Sequence, residues 1–416
     1  MLANATRIDI VVQSVASFRI DPAVLSRDDR ATTLIVSPAN WSRLVDRRRR
    51  DVFDEIVVLD DFSTEPLANA VSGLIERSGV APQNARLLCH DGHSLSAVAQ
   101  VRARLGVPGD LPASLEAFRD KLALKATLEG ANIRVPRHLS WDAQAYADDP
   151  DRYADDVIAT VGLPAFAKPV DESGGVGAFR LDTVEGMHTW AAVADGEHGF
   201  EVDEFVQGTL YHVETLIDDG RILHVRANQY LHPCHTYADG LICSTVTLPE
   251  DHPHHARLLE FNRRVLEELK NKPRSSVFHH EICIRPDGES VFLEIDACAP
   301  AALTPATGRI RWGLDIEEAH FRLQRGEEVH VPEQLGPHAA FVYVPKQAGK
   351  VVARHRPKLV SPHRWVWNVA VGDALGDPTD IRAFVASVLL WNDDLKTLCE
   401  DLKALGQHQA LTTTPR

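Results

Sequence analysis

The sequence has little that would staple, anchor or charge it for a polyanion. Its six cysteines, at positions 89, 234, 243, 283, 298 and 399 of 416 residues, include no CxxC pair. A disulfide scaffold and a four-cysteine zinc site are thereby disfavoured, and a reducing, cytoplasmic setting is expected. The longest uncharged apolar stretch, Val157 to Ala167, falls far short of the roughly 18 residues that a membrane span needs. MLANATRIDIVVQ has no basic segment leading into an apolar one, so neither export nor a membrane partner is expected. Basic residues are outnumbered as well: 44 Lys and Arg face 59 Asp and Glu, a formal net charge of -15. Nucleic acid is therefore not an expected partner. No GxGxxG follows the first apolar run and no GKS or GKT occurs, which argues against a dinucleotide fingerprint and a P-loop.

What is present is ordinary globular composition, 44% hydrophobic and 25% charged, in a chain long enough for two or three domains. IDIVV, TTLIVSP, EIVVL and ARLLC read as strands separated by polar turns or helical periods, and Leu67, Val71, Leu74 and Ile75 share one helix face. This predicts an α/β domain with a parallel sheet over 1–112. After ARLGVPGDLP, one helix is expected across SLEAFRDKLALKATLEGA with Ser114 as its cap. From about 155 the pattern becomes a series of strands with hairpin signals at Asp219-Gly220 and Asp287-Gly288, an antiparallel region ending near 331. A third segment, 332–416, reads as strands closed by one or two helices across DIRAFVASVLLWNDDLKTLCEDLKAL, with a frayed tail.

Three patterns carry chemistry. In AFAKPVDESGGVGAFRL a strand delivers Lys168, and the small-residue loop Ser173, Gly174, Gly175, Val176, Gly177 follows. Glycines expose successive N–H groups to an anion and a neighbouring lysine adds charge, although a plain glycine hairpin has the same pattern. In GFEVDEFVQG, Glu204, Phe205 and Val206 offer a strand edge that can read adenine, or form an ordinary amphipathic strand. In HHEICIRPDGESVFLEID, the turn pairs Glu281 with Glu294, and the two-residue period puts Glu294 and Asp296 on one face. Three such carboxylates suit Mg²⁺, which takes a few carboxylates and completes its shell with water and phosphate oxygens. His252, His254 and His255, in a Pro-containing acidic loop, read as solvated surface rather than a metal site.

In this order the motifs resemble the ATP-grasp superfamily of carboxylate-amine ligases, L-amino acid ligases included. HDGHSLSAVAQVRARLGVPG followed by FRDKLALKATLEGANIRVPR looks like the entry to that fold, and the likeness covers roughly 85–330. The resemblance implies an N-terminal Rossmann-like domain (1–112), an ATP-grasp domain (113–331, with a small lid subdomain at about 130–208) and a C-terminal α/β lobe (332–416). It implies that Lys121 and Lys168 hold the α- and β-phosphates, that Ser173 to Gly177 close over the γ-phosphate, and that Glu204, Phe205 and Val206 form the adenine hinge. Glu281 and Glu294 resemble the family's metal ligands, for Mg²⁺ with Mn²⁺ as a substitute, and Asp296 stands where the family usually has Asn.

The departures matter for activity. The usual E-x-N-x-R continues here as Glu294-Ile-Asp296-Ala-Cys298, and a thiol cannot replace a forked guanidinium. Arg309 or Arg311, in TGRIRWG, is expected to reach back as the catalytic cation. Leu210 stands at the usual ribose-binding Glu, so His212 or Glu214 is expected to substitute. Substrate loops are expected at 232–235, Tyr237, 302–307 and Trp312. The function implied is ATP-dependent amide formation between a carboxylic acid, such as an amino acid, and an amine, in peptide or secondary-metabolite biosynthesis. The alternative is a degenerate nucleotide-binding protein without ligase activity. A homodimer is a family tendency only.

Overall fold

A computed structural model of the chain describes all residues except 1–4, 16–21, 26–28, 44–50, 171–176, 193, 195–198, 233, 379–380, 382 and 415–416. The first four strands, β1 (Ile8–Gln13), β2 (Ala31–Val36), β3 (Glu55–Val58) and β4 (Ala85–Leu88), form a parallel sheet in the order β3-β2-β1-β4. All six residues of β1 are buried, as a strand with both faces covered requires. The helix Thr64–Ser78 supplies one cover: Leu67, Val71, Leu74 and Ile75 pack into the same core as Ile8, Ile10 and Val12.

A small antiparallel sheet follows, built from β5 (His138–Ser140), β6 (Ala165–Pro169), β7 (Phe179–Leu181) and β8 (Phe200–Glu204) in the order β5-β8-β6-β7. The central sheet starts with β9 (Thr209–Asp218), β10 (Arg221–His232), β11 (Cys243–Thr247), β12 (Ser276–Ile284) and β13 (Ser290–Asp296). Asp219 and Gly220, with φ of 45° and 79°, make the tight turn between β9 and β10, since both central residues of such a hairpin turn need positive φ. Beyond 331 come β14 (His338–Val344), β15 (Gly349–Arg354), β16 (His363–Trp367), β17 (Ala374–Leu375), β18 (Ala386–Asn392) and β19 (Leu411–Thr414). Three of these extend the central sheet to eight strands, β13-β12-β9-β10-β11-β14-β18-β16, so hydrogen bonding runs on across residue 331.

Local expectations fail where tertiary contacts compete. The helix expected from Ser114 breaks: residues 112–118 form short turns, and the main helix is Lys121–Gly130. Its cap is Asp120, whose carboxylate accepts from the Ala123 N–H at 2.8 Å, while the Ser114 hydroxyl donates to the Leu111 carbonyl. In the C-terminal segment 386–392 is the strand β18, drawn in by pairing with β14 on one side and β16 on the other, and only Leu395–Gln407 is helical. The tail expected to fray pairs as β19 with β15.

The helix Ile316–Arg325 ties the parallel domain to the central sheet. Phe321 enters the core formed by Val11, Leu34 and Leu88. Gln324 exchanges hydrogen bonds with the Cys89 backbone at 2.7 and 2.8 Å, and Arg325 Nε donates to Asp9 Oδ2 at 2.6 Å with both side chains buried. Removing one partner of a buried pair leaves the other charge under-compensated, and Asp9 would retain only Arg30 Nη1 at 3.4 Å. Arg325→Met is therefore expected to destabilise the chain by about 3–5 kcal/mol in urea denaturation; unaltered stability would show that this lock carries no load.

Candidate active site

Strand register assembles the site before any side chain is considered. Across β10, β9, β12 and β13, Asn228 stands opposite His212, His212 opposite Glu281, and Glu281 opposite Glu294. One step along the strands, Arg226 stands opposite Glu214, Glu214 opposite His279, and His279 opposite Asp296. Directly opposed residues share a face, and so do residues two apart. All eight side chains therefore form two adjacent rungs on one face. The other face is mainly apolar: Tyr211, Val213, Phe278, Ile282, Phe292 and Ile295 belong to one core, with His280 among them bonded to Asn262. Phe292 reaches that core because the β12–β13 register skips Leu293, and such a bulge turns the side-chain alternation over.

Glu214 is the hub of the rungs and has no exposed surface. Its Oε1 accepts from His212 Nδ1 and from His279 Nδ1 (3.1 Å), its Oε2 from Asn228 Nδ2 (2.6 Å) and Arg226 Nε (3.3 Å). Burial opposes its charge, yet these partners hold it well below the usual carboxylate range. Burial likewise opposes charge on His279, but Glu214 and Glu281 outweigh it and push the imidazole up to about 10. Glu281 accepts from the Tyr230 hydroxyl at 2.7 Å; against the cost of burial, His279 and Tyr230 draw its carboxyl down to about 2. Asp296 goes the other way, raised to about 6 by burial and by the charge of Glu294 beside it.

A buried carboxylate held up by a neighbouring carboxylate is a place for a cation. By donor type Glu281, Glu294 and Asp296 suit Mg²⁺ and would be its holders, although their ligand atoms do not all come within 4.8 Å of one another. Glu294 is also reached by Lys121 Nζ at 3.1 Å. Among the described residues, the one trio whose ligand atoms lie within 4.8 Å of one another is His212, Glu214 and His279. Its contacts are those of a hydrogen-bonded hub, with Arg226 beside it.

Lys168, on β6, faces β8. Its Nζ lies 3.1 Å from both Glu201 Oε1 and Asp203 Oδ2. Lys125, from the helix Lys121–Gly130, bonds the same two carboxylates from the other side, at 2.9 Å to Glu201 Oε2 and closer to Asp203. Burial opposes the charge on Lys168, but Asp203, Glu201 and Glu294 outweigh it and keep it protonated. An ammonium has three donors, so one N–H of Lys168 remains for a ligand. The Glu204 side chain is held by Arg134 and Arg137, and its backbone N–H donates to the Arg137 carbonyl at 2.8 Å. The Phe205 N–H already donates to the Pro164 carbonyl at 3.1 Å, and the Arg180 guanidinium lies 4.5 Å from the Phe205 ring centroid. Val206 follows directly, its carbonyl near Cys283 Sγ. Ser173, Gly174, Gly175 and Val176 lie outside the described residues; Gly177 has φ 65°.

Arg309 and Arg311 have partners of their own. Arg309 Nη2 lies 2.5 Å from Asp315, and Arg311 donates to the Gly336 carbonyl (2.7 Å) and Glu250 (3.0 Å). Neither bonds Glu281, Glu294 or Asp296. Cys298 is buried, and burial together with Asp296 raises its thiol well above the ordinary range, which removes the thiolate that a nucleophile needs. Sequence reasoning passed over Lys125, Glu201, Asp203, Arg226, Asn228 and His279. The available signal was charge at alternate positions of otherwise apolar strands, as in FEVDEF and HVRANQY.

The His279 pKa fixes a pH dependence. It lies above the ordinary 6.5, so the stabilisation that His279 gains from its partners is complete below about 6.5 and lost as pH rises through about 10. In denaturation titrations, the stability difference between wild type and His279→Gln should be largest near pH 6 and shrink toward pH 10. A difference independent of pH would contradict the charged assignment.

Neither a protein-family model nor a curated protein matches the sequence. Solved structures do. An L-amino acid ligase from Bacillus licheniformis is similar over 99% of this chain and 100% of its own, with a TM-score of 0.74 and 13% identity. An N5-carboxyaminoimidazole ribonucleotide synthetase in its ADP complex matches 96% of each chain with a TM-score of 0.68 and 12% identity. The biotin carboxylase domain of Hydrogenobacter thermophilus 2-oxoglutarate carboxylase, in complex with MgADP, ADP and bicarbonate, covers 97% of this chain and 90% of its own, with a TM-score of 0.65 and 13% identity. At such identities the likeness is one of fold, and it agrees with the motif order and the sheet topology: the chain has the ATP-grasp fold.

Proposed function

We propose that this protein is an ATP-dependent ligase that joins a carboxylic acid, an amino acid in the leading case, to an amine. The observation that carries the reading is the joint placement of Lys121 against Glu294, and of Lys168 near enough to Glu294 to feel its charge, beside the opposed pair Glu281 and Glu294. Cations and a carboxylate cluster on one spot are what a nucleoside triphosphate with its divalent ion needs. The similar structures that hold ADP or MgADP support the same nucleotide.

The reaction balances in two steps. A carboxylate oxygen of the acid attacks the γ-phosphorus, the bond to the β-phosphate oxygen breaks, and ADP leaves. The amine then attacks the acyl carbon, the C–N bond forms, phosphate departs with the acyl C–O bond broken, and the amine proton is lost. Mg²⁺ supplies charge neutralisation on the transferred group. Lys168 and Lys121 orient the phosphates, and the Glu201–Asp203 pair fixes Lys168 by two contacts before nucleotide arrives. Cys298, a neutral thiol where the ATP-grasp pattern has arginine, is the observation that favours the second reading, a nucleotide-binding protein without ligation.

A panel of amino acids, singly and in pairs, separates the two readings. Acid-dependent ADP release supports the ligase; ATP binding with no release above background supports the second reading. Glu294→Ala is expected to abolish that release, and unchanged ADP production would refute its role at the metal. Lys168→Ala is expected to weaken ATP binding by about tenfold or more, the scale of a charged hydrogen bond, and an unaltered affinity would refute the phosphate contact.

A further inference from the structure

The rungs end, on β10, in a guanidinium that the ligase reading does not yet use. The Arg226 side chain has no exposed surface. Of its five N–H donors one is met, Nε to Glu214; Nη1 and Nη2 are both buried without a hydrogen-bond partner. Beside it, two more polar atoms of the same cluster are buried and unmet, Asn228 Oδ1 and His212 Nε2. Buried polar groups in folded proteins almost always find partners, so a cluster of unmet guanidinium donors beside Asn228 Oδ1 and His212 Nε2 marks a place completed by something other than the chain.

The cover over this corner is thin. The helix Thr304–Trp312 crosses it with Gly308 and Trp312: the Arg226 Cζ lies 5.1 Å from the Trp312 ring centroid, and a Cβ on residue 308 would stand 1.6 Å from Nη1. Any side chain at 308 would displace the guanidinium, and glycine is the one residue that lets the two meet. A ligand reaches both Nη atoms only when this helical turn shifts. Two N–H groups in a rigid fork match one carboxylate bidentately.

The identity of that carboxylate follows from spacing. The acid that attacks the γ-phosphate must react at Glu281 and Glu294, on β12 and β13, whereas Arg226 lies on β10, two strands from Glu281, or about 10 Å. One carboxylate group cannot serve both places. We infer that Arg226 is the specificity-determining residue that receives the non-reacting carboxylate of the amine-donating substrate, with Asn228 Oδ1 as the acceptor beside it. This assignment rests on the ligase reading and adds to it that the amine donor is anionic.

The test compares an amine donor as the free α-amino acid and as its α-carboxamide, with the acid and ATP saturating. Wild type should prefer the free acid. Arg226→Met should raise KM for the free acid at least tenfold and leave KM for the carboxamide unchanged, and Arg226→Lys should recover part of the loss. Gly308→Ala, which keeps the guanidinium but displaces it, should raise the same KM. A cooperative thermal melt above the assay temperature and an ATP affinity like that of wild type establish that each variant is folded. A folded Arg226→Met enzyme with unchanged KM for the free acid, or an equal loss with the carboxamide, overturns the assignment. Should wild type release no ADP with any acid, the ligase reading fails separately, and calorimetric titration of the amino acids into protein with a non-hydrolysable ATP analogue and Mg²⁺ decides the present one: binding lost in Arg226→Met supports it, and no binding to wild type overturns it.

Discussion

A carboxylate with no access to water must be met by donors from the protein, and Glu214 is met by four, drawn from three strands. That requirement constrains the whole central sheet. Register between β9, β10 and β12 cannot slip by a residue without sending Glu214 into the apolar core and His280 toward the site. His280, on the opposite face, is held neutral: burial draws its pKa down to about 3, and its Nδ1 is bonded to Asn262. Two neighbouring histidines in one chain segment thus have opposite ionisation states, set by which side of the sheet each faces.

The same accounting explains how an acidic protein prepares to receive an anion. The net charge of -15 says nothing about the local field. Glu201 and Asp203 are both buried, and each is shared between Lys125 and Lys168. The acids anchor the lysines rather than cancel the site, because each ammonium keeps a donor to spare. On the central sheet acids predominate: Glu281, Glu294 and Asp296 share one face, and burial first, then the charge of Glu294, raises the pKa of Asp296. The balanced lysine–carboxylate cluster and the carboxylate-rich strands are linked by the Lys121 to Glu294 contact.

Much of this was legible from residue order. The alternating β-rich and helical runs of the first third gave the parallel sheet, and the two Asp-Gly signals marked hairpins that the structure contains. Glu281 opposite Glu294 followed from turn position, and Glu294 with Asp296 on one face from the two-residue period. Less legible were contacts between distant segments. Arg226 and Gly308 are separated by 82 positions of sequence numbering, and nothing in TPATGRIRWG announces that its glycine abuts a guanidinium. Arg309 and Arg311 looked available because sequence hides their partners Asp315, Glu250 and the Gly336 carbonyl.

Sequence by itself determined the kinds of element, their order, and the placing of Glu294 and Asp296 on one face, since these depend on periods of 2 and 3.6 and on turn residues close in the chain; roles for Lys121 and Lys168 were implied by resemblance alone. Only the tertiary structure decided which charges are buried and with what partners. The bulge at Leu293 illustrates why: an unbroken period puts Phe292 on the same face as Glu294, whereas the observed register gives Phe292 to the core and Glu294 to the site. Such a choice is made by packing across strands far apart in sequence, and so are the ionisation states of Glu214, His279 and Asp296 that follow from it.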